Sequence, residues 1–498
     1  MTRLYKNIVD VRDVRVMAIG EGTFLDRLAR TLADSGIRNV ERLRWDRTSS
    51  VEDWRVRVRA ADGVLVVGQS LNPEAIRRIY RACREERKIC AAAVCAGRTG
   101  LAGPLALPGA EADWESAWRR LRQSALRSGA MHPAERDTVE EMLSNVIAHG
   151  MLRSIADGPP TELEGSLYLL DSQTLEGGYH AFEPHPIATG ALSVERIPDW
   201  TGELRKGERW RAEAAAAAQS LGRLVSPATG ILHLLEEGDL SQLPLPRCRI
   251  QAADPLSEGP ARSLPPLVCS GLTHDEARKE AGLSGLEDYL MALIKADFTR
   301  GNDQAPSLET GVGATFAEAV LRGLGKCLRR ELRERSAARH PLVFAEREAV
   351  VADPASRYYA QAIAAMGEEP KLGYGESLLG FPVAWVGAGG AWHGCAGWNR
   401  TEARRSALEQ ALHRLLDPAE AIRLPGVEAR SVSLVGDGES RDAEEARPPA
   451  KTVARLVAAL KRSRVDLSVF VIRAENGLNE LAGCAVGVAL GGKEERHA

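Results

Sequence analysis

The sequence contains no C-x-x-C pair. Its eight cysteines are scattered, and the closest group, Cys83, Cys90 and Cys95, has no metal-site spacing. That excludes a zinc site built on paired thiolates and points to reduced, mostly buried cysteines in a cytoplasmic protein. An excess of charge is also missing: 65 Lys and Arg stand against 68 Asp and Glu, a net charge of −3. This argues against a general nucleic-acid or membrane-surface binder. The opening MTRLYKNIVDVRD is too charged for a secretory signal. The longest uncharged run, SLLGFPVAWVGAGGAWHGCAGW, is glycine-rich and reads as buried strands and turns, not a membrane helix.

What is present is an ordinary globular composition, 44% apolar, over 498 residues. At roughly 150 residues per domain this suggests two or three domains with cores that need no covalent staple. VRVMAI, Gly20 and Gly22, then TFLDRLARTLADSG read as strand, glycine turn and amphipathic helix, stopped at Gly36. VERLRW, GVLVV and ICAAAV are further strands, and PEAIRRIYRACREE is a helix opened by Pro73. Strands alternating with helices predict a parallel α/β sheet. PAERDTVEEMLSNVIAHGMLRSI predicts a long helix, and SLYLLDSQTLEGGYHAF two strands joined by a turn. The charged, alanine-rich stretch from about Pro198 to Ala218 reads as a linker or connecting helix, and the stretch from Asp437 as a charged loop.

The turn at Gly20-Glu21-Gly22 stands where a nucleotide-binding turn would be, since glycines let backbone approach a phosphate at a helix N-terminus. The third glycine of G-x-G-x-x-G is replaced by Leu25, and Glu21 adds a negative charge. A structural turn is the stronger reading of such a partial motif.

The stretch VRVMAIGEGTFLDRLARTLADSGIRNVERLRWD, with AADGVLVVGQSLNPEAIRRIYRACREERKICAAAVCAGRTGLAGPL behind it, resembles the ThiF-like, ubiquitin-activating type of adenylating domain. The resemblance covers roughly residues 11 to 190 and implies that Asp46 stands where the family's aspartate binds the ribose of ATP. The family's zinc site uses two C-x-x-C pairs, where this chain has PGAEADWESAW and EPHPIATG. His180 and His185 remain near the second pair, too few ligands for a closed site. No zinc is expected.

Three stretches share the opening G-x-[TN]-x-x-E-A: GLTHDEARKEAGLSGLEDYL, GATFAEAVLRGLGKCLRREL and GWNRTEARRSALEQALHRLL. Counted from that alanine (Ala277, Ala319, Ala403), position +4 is small: Ala281, Gly323, Ala407. Positions +9 and +13 are leucine each time, on one helix face. Three amphipathic helices covering a sheet are predicted. The pattern also resembles the YcaO family, which installs azolines in ribosomal peptides with ATP and whose corresponding helices carry acids that hold magnesium and phosphate. The resemblance implies E-x-x-E-R at +7, +10 and +11 in the first two helices, and Glu and Gln at +7 and +10 in the third. The first helix has Ser284, Glu287 and Asp288 there, the second Lys326, Arg329 and Arg330, and the third Gln410 and His413. Magnesium needs oxygen ligands, so basic replacements reverse the site. Glu287 is expected to pair with Lys326 or Arg329, leaving the pocket filled by side chains and no catalytic residue or metal.

A ThiF-like half joined to a YcaO-like half is similar to azoline-forming cyclodehydratases. AGRTGLAGPLALPG, LYLLDSQTLEGGYHAFEPHP, DPLSEGPARSLPPLVCSGLTHDEARKEAGL and LGFPVAWVGAGGAWHGCAG resemble one subgroup, the ThiF-like thiazole-containing bacteriocin maturation proteins. The expected fold is α/β: a Rossmann-like (ThiF-like) parallel-sheet domain over 1–195, a linker at 196–222, and a degenerate YcaO-like α/β domain over 223–498. The resemblance implies a cytoplasmic, non-catalytic accessory protein, a pseudoenzyme that binds a precursor peptide leader and serves a partner YcaO cyclodehydratase. It implies no cofactor, no nucleic-acid partner and no membrane; a homodimer is compatible with it. Such proteins usually begin with a winged-helix domain that takes the leader as an added strand, whereas this sequence starts almost directly at the ThiF-like strand, so leader binding in that manner is expected only where another chain supplies the domain. The alternative is an ATP-dependent enzyme, adenylating or cyclodehydrating, using a nucleotide site at Gly20, Gly22 and Asp46.

Overall fold

The computed structural model describes residues 13–46, 48–156, 158–205, 221–300, 308–346, 353–417, 426–435, 460, 465–474 and 484–491. The charged loop read from Asp437 and most of the expected linker lie outside them. The protein is mixed α/β and forms two compact units. One holds residues 1–192, 223–234 and 251–266; the other holds 193–222, 235–250 and 267–498. The units therefore do not divide at one point in the chain. The strand Ser193–Arg196 belongs to the second unit, where it pairs with Asp466–Arg473. Periodicity does not reveal which sheet a four-residue strand will join; hydrogen-bond partners do.

The first unit is built on a seven-stranded sheet. Asn39–Arg44, Arg15–Gly20, Gly63–Gly68 and Ile89–Ala96 run parallel. Thr99–Ala102, Ser166–Asp171 and Gly177–Ala181 continue it antiparallel, so the sheet is mixed where the alternation of strands and helices predicted a parallel one. The antiparallel half consists of two strand pairs joined by short turns, which need no crossover helix. The central strands are buried on both faces. Met17, Ile19, Val64, Val66, Ala92 and Val94 enter one core, and Val16, Ala18, Leu65, Val67, Ala91 and Ala93 enter the other.

The second unit has a four-stranded antiparallel sheet, Leu308–Gly313, Cys484–Gly491, Asp466–Arg473 and Ser193–Arg196 in that order, and a separate six-stranded sheet. The long uncharged run forms the latter's central hairpin, Phe381–Ala388 with Ala391–Ala396. No helix among the described residues is long and apolar enough to cross a membrane.

The three glycine-led helices are His274–Arg300, Phe316–Ala338 and Arg400–Leu416. Their shared opening is a device for starting a helix against a strand end. Thr273, Thr315 and Asn399 accept a hydrogen bond from the amide of Glu276, Glu318 and Glu402 at 3.2, 3.1 and 2.8 Å. Glu276 and Glu318 reach back to the amides of Leu272 and Ala314, both at 2.9 Å, so two backbone donors are satisfied at once. The leading glycine has a steric reason. A Cβ on Gly271, Gly313 or Gly397 would lie 2.5, 2.8 or 2.4 Å from the amide nitrogen of Ala277, Ala319 or Ala403. Those alanines, the small +4 residues and the leucines at +9 are buried in the unit's core. At +13, Leu290 and Leu332 are buried and Leu416 is half-buried.

Candidate functional site

In the first unit the glycine turn is closed by side chains. Gly22 has φ +65°, and a Cβ on Gly20 would meet Val67 at 2.6 Å, so both glycines serve the turn itself. Glu140, fully buried, accepts hydrogen bonds from Thr23 Oγ1 and Gln69 Nε2, each at 2.9 Å. Gln69 also donates to Thr23 at 2.9 Å. Glu140 also pairs with Arg27 Nε at 3.4 Å, so its charge is balanced within the turn's own surroundings. Asp46 follows the strand Asn39–Arg44 and folds onto its own loop, accepting from Thr48 N at 2.9 Å, Thr48 Oγ1 at 2.6 Å and Ser49 Oγ at 2.7 Å. Hydrogen bonds from Ser49 and Thr48 hold its carboxyl well below the usual range.

The two segments that resemblance aligns with zinc ligands are tied without cysteine. Arg120, buried at the end of helix Trp114–Arg120, donates to the carbonyls of Glu183 and Pro184 at 3.0 and 3.1 Å. Ser116 Oγ accepts from the His185 amide at 3.2 Å. The His185 ring receives the Ile187 amide at 3.3 Å, and burial, followed by Arg120 and Arg119, holds its pKa down to about 2. His180 lies on strand Gly177–Ala181, its pKa lowered by burial. Among the described residues no cluster of three or more His, Cys, Asp or Glu could hold a metal.

The second unit assembles most of the residues picked out on the three helices. Glu287, with no solvent exposure, pairs with Lys326 Nζ at 2.8 Å and Arg322 Nε at 2.6 Å, and accepts the Val312 amide at 3.0 Å. Burial works to raise its pKa, but Lys326 and Arg322 outweigh it and hold the carboxyl at about 2. Glu287 therefore pairs with Lys326, and its second cation is Arg322, not Arg329. Arg322 also binds Glu280 at 2.5 Å and Ser284 Oγ at 3.3 Å. Gln410 accepts a hydrogen bond from Cys395 Sγ at 2.9 Å. His413 faces elsewhere: its Nε2 lies 2.5 Å from Ser270 Oγ, and burial, followed by Arg247, lowers its pKa to about 4, so the ring is neutral near pH 7.

The expectation of a filled pocket is corrected. Lys326, Arg329 and Gln410 line a cavity of about 470 Å³ together with Arg330, Arg333, Glu309, Trp385 and Trp392. Side chains do not fill it because Lys326 turns back onto Glu287, and Arg330 onto Glu309 at 2.8 Å. A Cβ on Gly394 would meet the Trp385 ring at 2.7 Å, so the glycine lets that indole lie against its strand. At 4 Å and an effective dielectric of about 20, each unit charge repels or attracts another by ~4 kcal/mol. With Lys326 and Arg330 each paired to a carboxylate, Arg329 and Arg333 are the remaining basic groups of the lining, and they disfavour a bare cation.

Arg322, Glu280 and Glu409 join the site although the family pattern does not point to them. Arg322 and Glu280 both stand at +3 in the helix repeat, so their opposite charges at one register were the available signal. Glu409, half-buried near Glu280 and Glu402, has its pKa pushed up to about 7 by burial and then by those two carboxylates. Nothing in its spacing marks it.

No protein-family model matches this sequence, and no curated protein matches it. Solved structures do. A heterocyclase described as in complex with substrate and cofactor aligns over 96% of this chain and 81% of its own, with a TM-score of 0.64 and 14% identity. The heterocyclase TruD aligns over 96% of this chain and 79% of its own, with a TM-score of 0.55 and 15% identity. At such identities the likeness is one of fold, and over nearly its whole length this chain has the fold of those heterocyclases.

Proposed function

We propose that this chain is a non-catalytic accessory protein of ribosomal peptide maturation, of the thiazole/oxazole-modified bacteriocin kind. It recruits a precursor peptide to a separate YcaO-type cyclodehydratase. The observation that carries this reading is the neutralisation of Glu287. A carboxylate engaged by Lys326, Arg322 and the Val312 amide has no oxygen to offer magnesium. The heterocyclase fold supports the pathway class. On this reading the protein is cytoplasmic, holds neither zinc nor ATP, contacts neither nucleic acid nor membrane, and is compatible with a homodimer.

The test is reconstitution with an intact YcaO protein and a Cys/Ser/Thr-rich precursor. The chain should bind the precursor and raise the partner's azoline yield, while releasing no phosphate from magnesium-ATP alone. Phosphate release by the purified chain would refute the accessory role. One observation favours the second reading, an ATP-using enzyme: the cavity beside Lys326 and Arg329 is open and basic. Calorimetric titration with magnesium-ATP separates the two.

A further inference from the structure

The first unit carries a second basic cavity that the accessory reading does not use. It measures about 720 Å³ and is lined by Arg98, Arg122, Arg127, Arg262, Gln123, Ser124, Ser128 and Ser263, with Leu126 and Ala261 as its apolar part. No carboxylate belongs to this lining among the described residues. Local backbone bonds determine where the arginines stand. The Arg98 amide donates to Arg127 O at 2.9 Å, and the Arg127 amide to Thr99 Oγ1 at 2.9 Å. These pin the loop after the short helix Gln123–Ala125 to the turn between strands Ile89–Ala96 and Thr99–Ala102. On the other side Gln123 N donates to Ala261 O at 3.1 Å, and Ala261 N to Leu121 O at 2.7 Å. Ser263 is held by the buried His233 ring at 2.8 Å.

The charges do not cancel. Arg127 pairs with Asp171 at 2.7 Å, and Arg262 reaches Asp254 at 3.8 Å. Arg122 donates to a neutral amide, Gln251 Oε1, at 3.2 Å. Arg98 forms no side-chain ion pair among the described residues, and its Nε is buried without a hydrogen-bond partner. The field also reaches His233, whose pKa falls to about 4 through burial and then through Arg122 and Arg120.

We infer that this cavity binds a compact, multiply charged oxyanion of the phosphate type. The guanidinium groups of Arg98 and Arg122, neither of them in an ion pair among the described residues, match a group with several oxygens, and the serine hydroxyls and the Gln123 side-chain amide add neutral donors. The small apolar lining gives little hold to a base or an aromatic ring, so any organic body of the ligand lies outside the cavity. This inference stands apart from the accessory role and from the cavity beside Lys326.

The experiment is calorimetric titration of the full chain with pyrophosphate, free of added metal, and in parallel with citrate. One site with a dissociation constant below about 1 mM is expected, weakening as salt rises. Arg98→Gln with Arg122→Gln should weaken it at least tenfold. Arg329→Gln with Arg333→Gln, in the second unit's cavity, should leave it unchanged. Ser124→Glu places a negative charge in the wall without touching an arginine and should give the same loss, which covers the case of a double variant that fails to fold. Citrate binding as tightly as pyrophosphate would reassign the site to carboxylates. Absence of pyrophosphate binding, or its loss in the Arg329/Arg333 variant alone, would overturn the inference.

Discussion

Replacing Glu287 by glutamine leaves Arg322 and Lys326 facing a neutral amide inside the second unit. In the folded chain this carboxyl gives up its proton at about 2, against an ordinary value of 4.5. At about 1.4 kcal/mol for each pH unit, that gap corresponds to roughly 3 kcal/mol of stability at neutral pH. Removing one partner of a buried ion pair independently costs ~3–5 kcal/mol. The lower end applies here, because Arg322 keeps Glu280 at 2.5 Å and Lys326 can swing into the adjoining cavity. The sign follows from the depressed value: the contribution is complete above 4.5 and disappears as pH falls toward 2. Urea titrations of the wild-type and Glu287→Gln chains, following the second unit's transition, should differ by about 3 kcal/mol at pH 7 and by about half of that at pH 3. Adding Lys326→Met to Glu287→Gln should recover part of the loss by removing an unmatched charge. A single variant within about 0.5 kcal/mol of wild type at pH 7, or a difference that does not change with pH, would show that the ion-pair reasoning is wrong.

Three further outcomes are expected. Arg120→Met should lower stability by roughly 2 kcal/mol, because the carbonyls of the half-buried Glu183 and Pro184 lose a charged donor, and elemental analysis of the wild-type chain should find no stoichiometric zinc. A melting temperature unchanged in the variant, or one tightly held zinc per chain, would contradict this account of the junction. Lys326→Glu combined with Arg329→Glu gathers acids around Glu287 and should lower the melting temperature without creating magnesium-dependent ATP hydrolysis; hydrolysis by this variant would mean that the cations alone had silenced the site. Glu409 has a raised pKa of about 7, so its charge opposes folding only above the ordinary glutamate range. Glu409→Gln should raise the melting temperature at pH 8 and leave it nearly unchanged at pH 4, below the ordinary value of 4.5, and an equal effect at both would count against a titrating carboxylate.

The strands around Val16, Val64 and Ile89 and the amphipathic helices between them were legible in the sequence, because burial on one or both faces writes a period into the chain. The recurrence of G-x-[TN]-x-x-E-A was visible for the same reason: its cap, glutamate and glycine act within one helix turn and must therefore be close in sequence. The opposition of Lys326 to Glu287 could be anticipated from a repeat register that places both on facing helices. Other features depend on groups that the chain brings together from far apart. Arg322 reaches Glu287 and Glu280, Glu140 closes the turn at Gly22, and Arg120 joins the two segments that stand where the resemblance places the family's zinc ligands. Ser193–Arg196 joins a sheet whose other strands lie more than a hundred residues away, a choice settled by backbone hydrogen bonds and not by its four side chains. The open cavity beside Lys326 was not predictable either. A residue's charge can be read from its letter, but the direction in which it turns, and whether it leaves space behind, is decided by packing.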